Sequence, residues 1–301
     1  MLRLLRADWY RVTRIRGFRG SLWQYASALL VFAALQIGLI LLGLSGVLGD
    51  VVSFSNMAPD GSLTITPIEY LAPNLFGNYS VLVFAASFGF IEMVFFDLTD
   101  GFGKTLVPST RGHLAYFGEK VLFAGAWSAC LTALDIVITL GGFALFVLAP
   151  HGLSFSALDS VGAGLLWCLT AWLATWVASV LPLAIAMLTR SKLVTYGFMI
   201  GVLLGMAPSV LQILGMLPGP ALAGGSFAFL IPLGDALSAL ASWMPSTVLH
   251  ALTDGAGTML APAGLPGTGT LPTWAWMLGT CVMWLVLAGG AWIAVGRRRG
   301  L

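Results

Sequence analysis

Residues 161–188, VGAGLLWCLTAWLATWVASVLPLAIAML, form an apolar run that contains no charged side chain. A helix that crosses a bilayer needs about 20 consecutive apolar residues, whereas a surface helix of a soluble protein places polar residues along one face. Backbone groups in lipid need internal partners, which leaves helices or closed barrels, and a continuous apolar run excludes the alternating pattern of a barrel. The run therefore predicts a membrane-spanning helix.

Five further long apolar runs occur along the chain, at 21–46, 79–97, 121–148, 193–217 and 273–296. The composition agrees with them, because 58% of the 301 residues are hydrophobic, 9% are charged and the mean hydropathy is +0.95. These values lie far outside the range of soluble globular proteins. We therefore predict an all-α membrane protein with about six transmembrane helices in a single domain over 1–301.

The basic residues are distributed asymmetrically between the predicted loops. All 14 Lys and Arg residues precede the first run, follow the last, or lie between runs two and three or four and five. None lies in 47–78, 149–160 or 218–272. Cytoplasmic loops retain Lys and Arg, so an even number of spans with both termini in the cytosol satisfies this distribution. We predict a multi-pass protein of the bacterial inner membrane with cytosolic N and C termini.

The N-terminal segment 1–20 is basic and amphipathic. Read as a helix, residues 2–16 place Leu2, Leu5 and Trp9 on one stripe and arginines opposite. This pattern predicts a cytosolic interfacial helix that binds anionic membrane lipids. The alternative is a basic topogenic signal without a mechanical role.

Residues 218–272 are apolar but interrupted by prolines. The runs 221–233 and 235–252 are too short to cross the bilayer, so we predict re-entrant or interfacial helices on the outer side before the last span. Residues 253–272 are rich in Gly, Pro and Thr and predict an irregular outer loop.

No pattern in the sequence predicts a catalytic, cofactor or metal site. The three cysteines fall inside predicted spans, and the three histidines lie in separate loops without an H-E-x-x-H pattern. Gly103-Lys104-Thr105 looks like the end of a phosphate-binding loop, but Leu98 occupies the position of the required first glycine. We therefore expect no enzyme activity in this chain and no nucleic-acid partner.

The segment between runs two and three is the most informative loop: residues 96–120 read FDLTDGFGKTLVPSTRGHLAYFGEK. Its order of motifs resembles the permease subunits of type-2 ATP-binding-cassette (ABC) exporters, especially the branch associated with bacitracin and lantibiotic resistance. An acidic residue ends span two, a G-x-x-K step and a P/S-x-x-R helix end follow, and a lysine enters span three. These motif positions are Asp97, Gly101, Lys104, Arg111 and Lys120.

The resemblance implies that 98–120 is a cytosolic coupling segment that contacts a separate ATPase subunit, which would hold the ATP and Mg²⁺. Apolar anchors for such a contact are Phe102, Leu106, Tyr116 and Phe117, while Lys104 and Arg111 can pair with acidic groups of the partner. It also implies a second permease chain, identical or related, and export of a hydrophobic or amphipathic cargo such as an antimicrobial peptide or a lipid-like molecule. Alternatively, these cations only bind headgroups and hold the topology.

Two carboxylates lie inside predicted spans, where a charge is costly. Glu92 is near the inner end of span two and can pair with Lys104 or Lys120, whereas Asp135 is deep in span three. Gln36 and Gln212 are candidate hydrogen-bond partners for Asp135. This residue leaves open an alternative function, a stand-alone proton-coupled secondary transporter. A membrane-embedded enzyme is a weaker alternative, because the spans hold few polar groups.

Small residues at helical spacing mark one face of the fifth predicted span. Gly197, Gly201 and Gly205 form a smooth ridge that predicts close approach of another helix.

Overall fold

The computed structural model describes residues 2–14, 21–44, 66–77, 80–99, 113–157, 160–216 and 231–299. Regular structure in these ranges is helical apart from one isolated antiparallel bridge between Pro262 and Pro272. The all-α prediction is confirmed. In chain order the helices are α1 (Leu2–Thr13), α2 (Leu22–Leu44), α3 (Pro67–Phe76), α4 (Val81–Thr99), α5 (His113–Phe143), α6 (Val161–Thr189), α7 (Lys192–Leu203), α8 (Met206–Met216), α9 (Ile231–Ser242), α10 (Pro245–Ala251) and α11 (Thr273–Arg299).

Five of the described helices, α2, α4, α5, α6 and α11, are long and apolar enough to cross a membrane. The pair α7 and α8 passes the same test together but is bent by 55°. A π-helical turn, Ala144–Leu148, and the short helix Ala149–His151 extend α5, so that the candidate span Ala115–His151 is 37 residues long. Within the described residues α5 begins at His113 rather than near residue 121, so residues 113–120 of the predicted coupling segment are helical.

Helix α6 is the centre of the bundle and packs against α4, α5, α7 and α11. Within the most apolar window of each helix, α4 and α6 bury 67% of the residues, whereas α2 buries 17%. The α6 helix begins where the Ser160 side chain accepts a hydrogen bond from the Ala163 N–H. It ends at Arg190, which takes a left-handed conformation (φ 52°) and turns the chain directly into α7.

Tryptophan indoles connect the buried helices through their N–H groups. Trp127 donates to the Ala86 carbonyl at 2.9 Å, and Trp176 donates to the Val121 carbonyl at 2.8 Å. Trp276 likewise donates to the Ser242 carbonyl at 3.2 Å. A helical carbonyl keeps a second lone pair after its own helical bond, so each indole satisfies its donor inside an apolar bundle.

Helix α3 lies inside the predicted outer loop 47–78 and was not expected from the sequence. The Thr66 hydroxyl accepts from the Glu69 N–H at 3.3 Å, while the Glu69 carboxylate accepts from the Thr66 N–H at 2.8 Å. With Pro67 in the first turn, this capping box fixes the start of the helix. The Thr-Pro-x-Glu pattern was the available signal. Tyr70 of α3 packs on Phe143 of α5, and burial raises the pKa of its phenol.

The region before the last span does contain short helices, but their bounds differ from the prediction. Helix α9 covers Ile231–Ser242 and α10 covers Pro245–Ala251, whereas residues 221–230 lie outside the described ranges. Pro245 occupies the first turn of α10, where a missing N–H costs nothing, so this proline starts a helix rather than ends one. The following loop is tied to α11, because the Thr273 N–H donates to the Ala261 carbonyl at 2.8 Å.

The bend between α7 and α8 depends on Gly205, whose φ is +68°. A side chain in this left-handed conformation is strained by about 1–2 kcal/mol, so we expect Gly205→Ala to lower the free energy of unfolding by about 1 kcal/mol. The matched control is Gly197→Ala in α7, where an added methyl group meets nothing within 4 Å. Chemical unfolding in mixed micelles measures both variants, and equal stabilities would contradict a bend that needs glycine.

Candidate functional site

The ends of five helices, α1, α4, α5, α7 and α11, meet at the end of the bundle where α4 stops and α5 starts. We call it the basic end, because the helix termini gathered there carry Arg11, Lys120, Lys192 and Arg298. The end of α11 belongs to it, since Gly296 of α11 lies against Phe117 of α5. The opposite end, with α3, α9 and α10, is called the far end.

A buried group of charged side chains joins α1, α4 and α5 at the basic end. The Lys120 ammonium contacts an Asp97 carboxylate oxygen at 2.8 Å and also donates to Asp8. The Arg11 guanidinium donates to the other Asp97 oxygen at 2.8 Å and to Asp8 at 3.4 Å. The side chains of Lys120 and Asp97 are each 1% exposed. We call Asp8, Arg11, Asp97 and Lys120 the inner charge cluster.

Two further side chains border the inner charge cluster. The Tyr116 hydroxyl donates to Asp97 at 3.3 Å, and the Tyr116 ring lies 5.4 Å from the Lys120 nitrogen. Glu119 is 1% exposed and lies beside Asp8 and Lys120. The cluster and its surroundings therefore hold three carboxyl groups for two cations.

Burial gives the inner charge cluster its physical importance. Removing ions from water costs several kcal/mol each, and mutual attraction repays this only when partners are close and well oriented. Here each cation contacts two carboxylates, so the helices that carry them are held in one relative arrangement. Such a cluster fixes the register of α1 against α4 and α5 more than it raises stability.

A second, partly exposed ion pair connects α4 to α7 at the basic end. The Lys192 ammonium contacts Glu92 at 2.7 Å, and the Tyr196 hydroxyl also donates to Glu92. The pairing of Glu92 with Lys120 expected from the sequence is wrong, because Lys120 faces Asp8 and Asp97. Lys192 is 100 residues from Glu92 along the chain, so sequence spacing gave no sign of this contact.

The predicted coupling residues divide into two groups. Asp97 and Lys120 lie in the inner charge cluster, and Tyr116 and Phe117 lie beside it on α5. Tyr116 and Phe117 were expected to anchor a partner surface. They are 3% and 0% exposed, so they pack inside the bundle instead. Phe117 packs edge-on against Trp292 of α11 at 5.1 Å between ring centroids. The remaining predictions fall outside the described residues: Gly101, Phe102, Lys104, Leu106 and Arg111.

Asp135 lies in the middle of α5 and is 7% exposed. It accepts a hydrogen bond from Thr139 at 3.4 Å, one helical turn away. The predicted partners Gln36 of α2 and Gln212 of α8 make no hydrogen bond to Asp135 in the described structure. Asp135 thus has a partner, Thr139, that sequence reasoning did not name.

The predicted glycine ridge faces away from the other described helices. An added methyl group at Gly197 meets nothing within 4 Å, and one at Gly201 meets only Met206 of the adjoining helix at 3.5 Å. Gly205 forms the bend. Close packing on this ridge stays a prediction for a second chain.

Comparison with family models, with curated proteins and with solved structures gives no match for this chain. Within the described ranges, no three His, Cys, Asp or Glu side chains are grouped as a metal site requires. The functional assignment therefore depends on the residues themselves.

Proposed function

We propose that this chain is the membrane-spanning subunit of an ATP-driven exporter. In this proposal the basic end faces the bacterial cytosol, two such permease chains form the pathway, and two separate ATPase subunits bind at the basic end. The cargo is a hydrophobic or amphipathic molecule that moves outward. The partner ATPase subunits hydrolyse the ATP.

The observation that carries the proposal is the position of the inner charge cluster relative to the predicted coupling segment. Asp97 lies just before this segment and Lys120 ends it, and the two side chains contact each other at 2.8 Å. The helices on either side of residues 100–112 are therefore joined by a buried ion pair. In this proposal a force on the coupling segment is passed to α4 and α5 as one unit.

Helix α1 extends this unit to the N-terminal segment. Arg11 of α1 pairs with Asp97 of α4, and Asp8 of α1 pairs with Lys120 of α5, so α1 moves with both membrane helices. Interfaces that repack between two discrete arrangements transmit motion over long distances, since packed cores do not deform continuously. A rigid three-helix unit at the basic end supports the coupling of ATPase closure to the bundle.

The distribution of charge supports the orientation. The described helix ends on the basic side carry Lys and Arg, whereas the far end carries Glu69, Asp235 and Asp254 and no Lys or Arg among its described residues. This is the distribution expected when the basic end stays in the cytosol.

The first experiment is purification of tagged chain from its native membrane in mild detergent, with ATPase activity measured on the eluate. We expect an ATPase subunit to co-purify with the wild-type chain, and Arg111→Glu to remove it, because a reversed charge in the loop repels an acidic groove. The matched control is Arg298→Glu, an equal charge change at the exposed end of α11. This variant should retain the subunit.

Two outcomes oppose the proposal. Loss of the subunit in both variants would mean that the overall positive charge of the basic end, rather than a specific contact at Arg111, binds the ATPase subunit. A chain that purifies alone under several gentle conditions would support the alternative of proton-coupled transport through Asp135, for which Asp135→Asn would abolish uptake or efflux driven by a pH gradient.

A further inference from the structure

A cavity of about 290 Å³ lies in the far half of the bundle, away from the inner charge cluster. It is enclosed by the end of α3, the start of α4, the bend between α7 and α8, and α10. Apolar walls come from Phe76, Phe84, Leu203 and Leu249. The cavity therefore lies beside the one strongly bent helix pair of the described structure.

One wall of this cavity is polar. Ser246 and His250 are four residues apart on α10, so their side chains lie on the same helix face and both line the cavity. Neither side chain makes a hydrogen bond within the described part of the chain. Ser246 is only 7% exposed, whereas His250 is exposed. This wall of the cavity therefore offers a hydroxyl and an imidazole to the polar head of a ligand.

The chemistry of the lining restricts what this partner is. The lining residues that the structure describes include no Asp, Glu, Lys or Arg. A ligand with a cationic head group would have no negatively charged partner in this lining. A ligand with an uncharged or anionic head group can accept hydrogen bonds from the hydroxyl and the imidazole.

The size of the cavity restricts the ligand further. Pockets for drug-sized ligands span roughly 300–1,000 Å³, so this cavity is at their lower limit. It holds a small head and a short alkyl segment, with the segment against Phe84, Leu203 and Leu249.

We propose that this cavity binds a small single-chain amphiphile through an uncharged or anionic head that accepts hydrogen bonds from Ser246 and His250. The binding site is a property of this chain alone. The interpretation of such an amphiphile as exported cargo additionally rests on the proposed function.

The test uses the purified full-length chain in nanodiscs, without any ATPase, so its result is independent of the exporter proposal. The probes are hexanol, hexyl phosphate and hexylammonium, with binding measured by saturation-transfer NMR against empty nanodiscs. We expect hexanol or hexyl phosphate to bind, and hexylammonium to bind at least about tenfold more weakly.

Two variants separate binding in the cavity from partition into lipid. Leu249→Trp fills the apolar wall and should abolish specific binding. The double variant Ser246→Ala/His250→Ala keeps the packing and should weaken binding by about tenfold, because two hydrogen bonds are lost. The control His151→Ala removes an exposed histidine at the far end outside the cavity and should bind as the wild type does.

The proposal is overturned if neither hexanol nor hexyl phosphate binds the wild-type chain. It is also overturned if hexylammonium binds equally well, or if the double variant binds like the wild type. Should Leu249→Trp fail to fold, the double variant alone decides between these results.

Discussion

Replacing Lys120 by methionine is expected to lower the free energy of unfolding by about 3–5 kcal/mol, the usual cost of removing one partner from a buried ion pair. Lys120 contacts both Asp8 and Asp97, and its side chain is 1% exposed. Methionine fills a similar volume, so the loss comes from the charge rather than from a cavity. Two buried carboxylates would then share Arg11 as their only cluster cation.

The matched control for this variant is Lys192→Met at the same end of the bundle. The Lys192 and Glu92 side chains are 44% and 24% exposed, so solvent already screens their interaction. We expect a loss of about 0–1 kcal/mol there. SDS titration in mixed micelles, followed by tryptophan fluorescence, measures both variants. Equal losses would show that water reaches the inner charge cluster and that it does not act as a buried ion pair.

The second large effect is expected at Gly296 of α11. A methyl group added there would overlap the ring of Phe117, which is fully buried and packed on Trp292. Because the ring has no free space to enter, we expect Gly296→Ala to cost about 1–3 kcal/mol by overpacking. This exceeds the gain of about 0.5–1 kcal/mol that alanine otherwise brings to a helix interior.

The same helix offers the control for this prediction. An added methyl group at Gly290 meets nothing within 4 Å, so Gly290→Ala should leave stability unchanged or raise it slightly. Thermal unfolding in detergent, monitored by circular dichroism, distinguishes the two substitutions. A stable Gly296→Ala variant would mean that α11 does not lie against α5 at the basic end.

Two of the predicted coupling residues meet in the structure, and their further partners were not foreseen. Asp97 and Lys120 were singled out as motif positions of the permease family that the loop resembles, and their side chains contact each other. Their partners Asp8 and Arg11 were missed, although Asp8 is the only acidic residue among the arginines of the first 20 residues. The contacts join positions 112 and 86 residues apart, a separation at which residue spacing carries no information.

The partners of the intramembrane carboxylates show the same limit. Hydropathy identified Glu92 and Asp135 as costly residues that need partners, and each has one. Their identities, Lys192 and Tyr196 for Glu92 and Thr139 for Asp135, depend on which helix faces lie together. The sequence showed that these carboxylates need partners, and the packing of the helices determined which residues are the partners.

By itself, the sequence determined that this protein is a set of long apolar helices with its basic residues grouped in a few segments between them, because hydropathy and charge act locally along the chain. Only the tertiary structure decided that α6 lies at the centre, that Gly205 forms a bend rather than a packing ridge, and that a cavity with Ser246 and His250 lies beside that bend. These features arise where distant helices meet. Contacts between distant segments depend on the shapes of the helix faces that pack together. Neither the local periodicity nor the composition of the sequence contains this information.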